Sequence, residues 1–199
     1  MVSLVVQAGG ESRRMGRNKA LIPFMGQPLI QRVIERLKPL ADEVIITSNQ
    51  MDGFNEMHIP VVADVLPGLG ALGGLYTALW AARNPFVMVV ACDMPFANRG
   101  LLQYQLDLLV KDNMDVVIPG FAEGWEPFHS VYRKVTCLPH IKGALEQGQK
   151  RLISWLPQVK VRYLGAEEIE RFDSLGIAFQ NVNTLEELDQ AEALARMVD

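Results

Sequence analysis

Val2-Ser3-Leu4-Val5-Val6-Gln7-Ala8-Gly9-Gly10-Glu11-Ser12-Arg13-Arg14-Met15-Gly16-Arg17-Asn18-Lys19 is a short β-branched apolar run that breaks into glycines and then into basic residues. The run Val2 to Val6 is apolar on almost every position, which is the pattern of a strand buried on both faces. The same kind of run recurs at Val44 to Thr47, Pro60 to Val62, Phe86 to Ala91 and Val116 to Pro119. Between these runs, Pro28 to Lys38, Leu72 to Arg83, Gly100 to Lys111 and Lys134 to Gln147 carry apolar residues at three- and four-residue spacing, with Pro and Gly near their ends, and read as amphipathic helices. Repeated alternation of this kind predicts an α/β fold: a three-layer α/β/α sandwich with a mostly parallel sheet. Farther on, Val159 to Leu164 reads as a strand, Ala178 to Val182 as a short one, and Thr184 to Met197 as a last helix with Asn183 or Thr184 as its N-cap. No linker or repeat divides the chain, so residues 1–199 are expected to form a single domain.

Bulk properties narrow the partners. The chain of 199 residues is 49% hydrophobic and 21% charged with a formal net charge of −4, and no basic tail is present. That balance gives no attraction for a nucleic-acid polymer or an anionic membrane. No apolar stretch approaches the roughly 20 residues needed to span a bilayer, and the first residues resemble neither a signal peptide nor an anchor. The two cysteines, Cys92 and Cys137, lack CxxC spacing, which suits a reducing compartment. A soluble, cytoplasmic protein is expected.

Three segments carry chemistry. In the first, Gly9 and Gly10 let main-chain N–H groups approach a ligand, while Arg13, Arg14 and Lys19 can neutralise a triphosphate. The segment lacks the Gly-Lys-Ser/Thr ending of a P-loop and is not GxGxxG. In the second, Val89-Val90-Ala91-Cys92-Asp93-Met94-Pro95, an apolar strand runs straight into Asp93, which places a carboxylate at a strand's carboxyl end. Ligands of such folds bind there, and Mg²⁺ is held by one or two carboxylates together with phosphate oxygens. A turn or cap role for Asp93 is the plainer alternative. Nothing nearby would activate Cys92, which reads as a small buried side chain. The third, Asp64 to Leu75, is a glycine-rich loop feeding a helix, where small residues allow a base to lie against backbone; close packing alone would also explain it.

Taken together these segments resemble the molybdenum cofactor guanylyltransferase family, within the nucleotide-diphospho-sugar transferase-like nucleotidyltransferases. The resemblance runs from Ala8-Gly9-Gly10 through Lys19, along Leu21-Ile22-Pro23-Phe24-Met25-Gly26-Gln27-Pro28-Leu29, then Asp64 with its Pro-Gly-x-Gly-x-x-Gly-Gly loop, Cys92-Asp93-Met94-Pro95, and Asn181-Val182-Asn183-Thr184. Two departures stand out: Gln7 where the family usually has an aliphatic residue, and Asn18 where an aspartate commonly precedes the lysine. Gly124 to Arg133 is similar to the family's Glu-Pro-Leu-His-x-x-Tyr segment.

The resemblance implies a Rossmann-like nucleotidyltransferase fold and a Mg²⁺-dependent transfer of GMP from GTP to molybdopterin, or the molybdenum cofactor, with release of pyrophosphate. It implies nucleotide contacts from Gln7, Ala8, Gly9, Gly10, Lys19, Thr47, Asp64 and Asp93, a metal on Asp93, and catalysis by Lys19, Arg14 and Asp93. Asn181, Asn183 and His129 fall on the acceptor side, although Asn183 can instead be a helix cap and His129 a structural residue; Trp125 can stack on a pterin or simply be an exposed aromatic. The paired glycines go with guanine. A molybdopterin-inserting protein or apo-molybdoenzyme chaperones are the further partners implied. CTP or another phosphorylated acceptor, or a non-catalytic nucleotide-binding adaptor, are the competing readings.

Overall fold

A computed structural model describes residues 1–9, 18–121 and 124–198. Its eight-stranded sheet is built from β1 (Val2–Gln7), β4 (Glu43–Thr47), β5 (Val61–Val62), β6 (Phe86–Ala91), β7 (Val116–Phe121), β8 (Gly124–Trp125), β9 (His129–Arg133) and β10 (Val161–Leu164), in the order β10-β7-β9-β6-β1-β4-β5 with β8 paired to β7. A two-stranded hairpin of β2 (Pro23–Phe24) and β3 (Gln27–Pro28) stands apart. β1 pairs in parallel with β4 on one side and β6 on the other, and β10 runs parallel to β7. The sheet is mostly parallel, as the apolar runs predict; β9 is the exception, antiparallel to both β6 and β7.

Alternation along the central strands sorts their side chains to two layers. Leu4 and Val6 of β1, with Met88 and Val90 of β6, join the cluster formed with α1 (Leu29–Leu37) and α3 (Arg99–Lys111). Val5, Val87 and Val89 face the other way, onto α2 (Gly70–Ala81), α4 (Lys134–Glu146) and Trp155. This is the three-layer sandwich, and each fully buried aliphatic side chain contributes about 1.5–3 kcal/mol to it. A smaller cluster of Ile22, Phe24, Leu29, Phe96 and Val182 receives Leu188, Ala191 and Ala195 of α6 (Leu185–Val198), which pins the last helix beside the β2–β3 hairpin. The remaining helix, α5 (Ala166–Glu170), packs its Ile169 into the first cluster.

Two sequence expectations differ here. Ala178 to Val182 forms no strand: Val182 is fully buried, but its N–H donates to the Asp93 carbonyl (3.0 Å) instead of to a ladder partner. Residues Leu156–Gln158 make a 3₁₀ turn, so the strand expected from Val159 begins at Val161. No helix of the described residues is long and apolar enough to cross a membrane.

Candidate active site

β1 lies between β4 and β6, where the sheet's connections diverge to either side, the position at which open α/β sheets bind ligands. Ala8 N–H donates to the Thr47 carbonyl (2.8 Å) and Cys92 N–H to the Gln7 carbonyl (2.9 Å), so the carboxyl ends of β1, β4 and β6 are stitched together. Asp93 follows at once.

Lys19 reaches this point from the other end of the glycine-rich segment. Asn18 Oδ1 accepts from Ala20 N–H (3.1 Å) and starts a single 3₁₀ turn, Lys19–Leu21, whose buried Ala20 anchors it to the core. An asparagine oxygen makes this local cap as well as an aspartate's does, and Asn18 Nδ2 is left buried with no partner among the described residues. The turn aims Lys19 Nζ at the Asp93 carboxylate, with which it forms an ion pair, and at Asn183 Oδ1 (2.8 Å). Residues 74 and 164 positions away in the chain thus meet on one ammonium group.

The last helix explains why Asn183 is available. Thr184 Oγ1 accepts from Glu187 N–H (3.1 Å) and Glu187 Oε2 accepts from Thr184 N–H (3.1 Å), a reciprocal cap of the kind read from Thr-x-x-Glu. Thr184 is the N-cap, which leaves the Asn183 side chain free for Lys19. On the β4 and β5 side, Asn49 Nδ2 donates to Asp64 Oδ2 (2.8 Å) and Asp64 N–H donates to Asn49 Oδ1 (2.9 Å), fixing Asp64 at the rim. Val65 N–H donates to Thr77 Oγ1 (3.2 Å), tying the loop that follows to α2.

Residues 4–161 match the family described as MobA-like NTP transferase domain. The chain belongs to this family and is a nucleotidyltransferase. It is 35% identical over 191 residues to a probable molybdenum cofactor guanylyltransferase of Pelotomaculum thermopropionicum, covering 96% of this chain and 92% of the relative. It is 32% identical to the molybdenum cofactor guanylyltransferase of Desulfosudis oleivorans, with 96% and 95% covered. The crystal structure of molybdopterin-guanine dinucleotide biosynthesis protein A from Archaeoglobus fulgidus superposes with a TM-score of 0.83 at 25% identity, covering 98% of this chain and all of that one. A Thermus thermophilus 2-C-methyl-D-erythritol 4-phosphate cytidylyltransferase shares the fold, with a TM-score of 0.70 at 18% identity.

The other sequence candidates of this nucleotidyltransferase occupy different depths. Gln7, Ala8, Gly9, Thr47 and Asp64 lie along the carboxyl edge of the sheet, Gln7 and Thr47 buried. Gly10, Arg13 and Arg14 lie outside the described residues. Asn181 is half-buried two residues before Asn183. His129 is fully buried beneath the edge; its Nε2 accepts from Asn98 N–H (3.1 Å) at the start of α3, and its ring meets Phe179 edge to face at 4.9 Å. Burial lowers it to about 4, so it is a neutral interior ring. Burial, with the Asp93 charge next, pushes the Cys92 thiol up to about 12, which keeps it out of nucleophilic chemistry. Trp125 lies over Gly120 and beside Tyr163, ring centroids 4.1 Å apart.

Two residues of the edge carry no local signal in the sequence. Asn49 is visible only through its pairing with Asp64. Glu126 lies within Gly124 to Arg133 without a role of its own there; burial raises its carboxyl and the Asp93 charge raises it further, against the Phe128 N–H that its Oε1 accepts (3.2 Å). Among the described residues no group of three or more His, Cys, Asp or Glu forms a metal cage. A single carboxylate, with no described residue donating to its second oxygen, instead suits a hard cation that brings most of its ligands with it as phosphate oxygens and water.

Proposed function

We propose that this protein transfers GMP from GTP to the terminal phosphate of molybdopterin and releases pyrophosphate. The observation that carries the proposal is the meeting of Lys19, Asp93 and Asn183 at the carboxyl ends of β1 and β6. In this reading an anionic oxygen of the acceptor phosphate forms a bond to the α-phosphorus of GTP. The bond from that phosphorus to the oxygen bridging to the β-phosphate breaks, and pyrophosphate leaves with that oxygen and its electron pair. The acceptor is already ionised, so no general base is needed and none is assigned. What the protein supplies is alignment and charge.

Lys19 offsets charge on the phosphates, and the sequence alone assigns Arg14 the same role. Main chain at Gln7, Ala8, Gly9 and Gly10 holds the nucleotide, with Thr47 and Asp64 on the guanosine. Mg²⁺ fits Asp93, and when bound it neutralises charge developing on the phosphates. Asn181 stands on the acceptor side, and Asn183 there holds Lys19. The names of the relatives support guanine and molybdopterin over other substrates. Work in the cytoplasm, where GTP is available, follows from this reading.

The test is pyrophosphate release with Mg²⁺ and molybdopterin across GTP, CTP, ATP and UTP. Release with GTP well above the others is expected. Preference for CTP would move the protein to cytidylyl transfer, and tight GTP binding with no release would make it an adaptor.

A further inference from the structure

The carboxamide of Gln7 is an unsatisfied group in a telling place. The residue ends β1 and is only 9% exposed, and its Nε2 has no hydrogen-bond partner among the described residues. An unmet buried amide donor costs about 1–3 kcal/mol, and interior polar groups are ordinarily paired. A leucine or methionine would fill this space without that cost. Gln7 shares the face of β1 that carries Val5 toward α2. There the absence of a side chain at Gly74 makes room for it: a Cβ at Gly74 would stand 3.3 Å from Gln7 Nε2 and 3.5 Å from Oε1. Gln7 is in register with Thr47 of β4, and the strand-end loops beyond carry the clasped Asn49–Asp64 pair. The orphan donor therefore sits where β1, β4 and the first turns of α2 come together, on the same strand-end edge as the Asp64 carboxylate beyond β5.

We propose that the Gln7 side chain reads the nucleobase, its Nε2–H donating to the carbonyl oxygen at C6 of guanine. The inference rests on the guanylyl-transfer reading and adds a specificity residue to it. Guanine and hypoxanthine carry an acceptor at C6, whereas adenine carries an amino group there, which would set donor against donor. Asp64 complements the contact by accepting from the ring N1–H that guanine and hypoxanthine also share. Ligand binding, and not folding, is what satisfies the carboxamide.

Isothermal titration calorimetry of GTP, ITP and ATP against the full chain tests this, using the unaltered protein, Gln7→Leu and Gln7→Met, with a thermal melt of each in the absence of ligand. Methionine, unbranched and close to glutamine in shape, serves if leucine packs poorly. Both variants should bind GTP and ITP about threefold to tenfold more weakly, bind ATP no more weakly than the unaltered protein does, and melt no lower than the unaltered chain. Unchanged GTP and ITP affinity in a folded variant would reduce Gln7 to a buried spacer and overturn the proposal. So would an equal loss for ATP, which would put the contact on ribose or phosphate. Unaltered protein that binds ATP more tightly than GTP would overturn the guanylyl reading along with it, and that failure is recognisable before any variant is made.

Discussion

Truncating Asn183 and Thr184 separately should divide catalysis from stability across one peptide bond. The Asn183 side chain accepts from Lys19 Nζ at 2.8 Å, whereas the capping contacts of α6 run through Thr184 Oγ1, Glu187 Oε2 and main-chain N–H groups that Asn183→Ala leaves in place. A hydrogen bond to a charged group contributes about 1.5–3 kcal/mol. Asn183 is exposed, so the lower end applies, and loss of about 1.5 kcal/mol of transition-state alignment corresponds to roughly a tenfold fall in kcat/KM. The melting temperature of Asn183→Ala should stay within about 2 °C of the parent, since exposed side chains remote from a cap or core typically shift stability by under about 0.5 kcal/mol. Thr184→Ala should do the opposite. Loss of an N-cap costs about 1 kcal/mol, or about 2–4 °C for a chain of this size, with kcat/KM close to the parent's. Steady-state pyrophosphate release and differential scanning fluorimetry on both variants decide it. A drop in melting temperature for Asn183→Ala with unaltered kcat/KM would return Asn183 to the role of a helix cap and leave Lys19 without it in catalysis.

Other outcomes follow from the same contacts. His129 has its folded value lowered by burial from 6.5 to about 4, so the unfolded chain takes up a proton that the folded one refuses as pH falls through that window; stability from this group is present above 6.5 and is lost below it. Between pH 7 and pH 5 the loss is about 2 kcal/mol, and urea unfolding of His129→Gln should show that much less pH dependence than the parent. Glu126 has its carboxyl raised first by burial and then by Asp93, so its ionisation opposes folding as pH rises; Glu126→Gln should raise the melting temperature at neutral pH more than at pH 4. A Cβ at Gly120 would lie 1.9 Å from the Trp125 ring, and Gly120→Ala should cost about 1–3 kcal/mol as an overpacked contact, a penalty that the double variant with Trp125→Ala largely relieves in thermal melts.

The sandwich is legible in the sequence because β1 and β6 are apolar on both faces and the helices between them keep a three- and four-residue spacing. Pairing sense is less so: nothing local in His129 to Arg133 says that β9 runs against its neighbours, since the side-chain period of a strand is the same in either direction. Val182 misleads for a related reason. Its burial is real, but it faces the α6 cluster, and its N–H is used by the Asp93 carbonyl. At the site, Lys19 and Asp93 can be named from residue type and position at strand ends, whereas the link to Asn183 depends on which of two adjacent residues caps α6. That choice is settled only by where Glu187 reaches. Asn49 and Glu126 act through partners distant in sequence, and Gln7 stands out only once its surroundings show a donor with nothing to meet.

Whether Lys19 and Asp93 serve one triphosphate is decided by pyrophosphate release from Asp93→Ala at saturating GTP, Mg²⁺ and molybdopterin, with a thermal melt of the same sample. The ion pair with Lys19 is partly exposed, with side-chain exposures of 17% and 19%, and contributes about 0–1 kcal/mol of stability; the melt should move by no more than about 4 °C. Turnover should fall at least about a hundredfold, the scale on which removal of a group placed against developing charge is felt. A folded Asp93→Ala protein that releases pyrophosphate at the parent's rate would contradict the account.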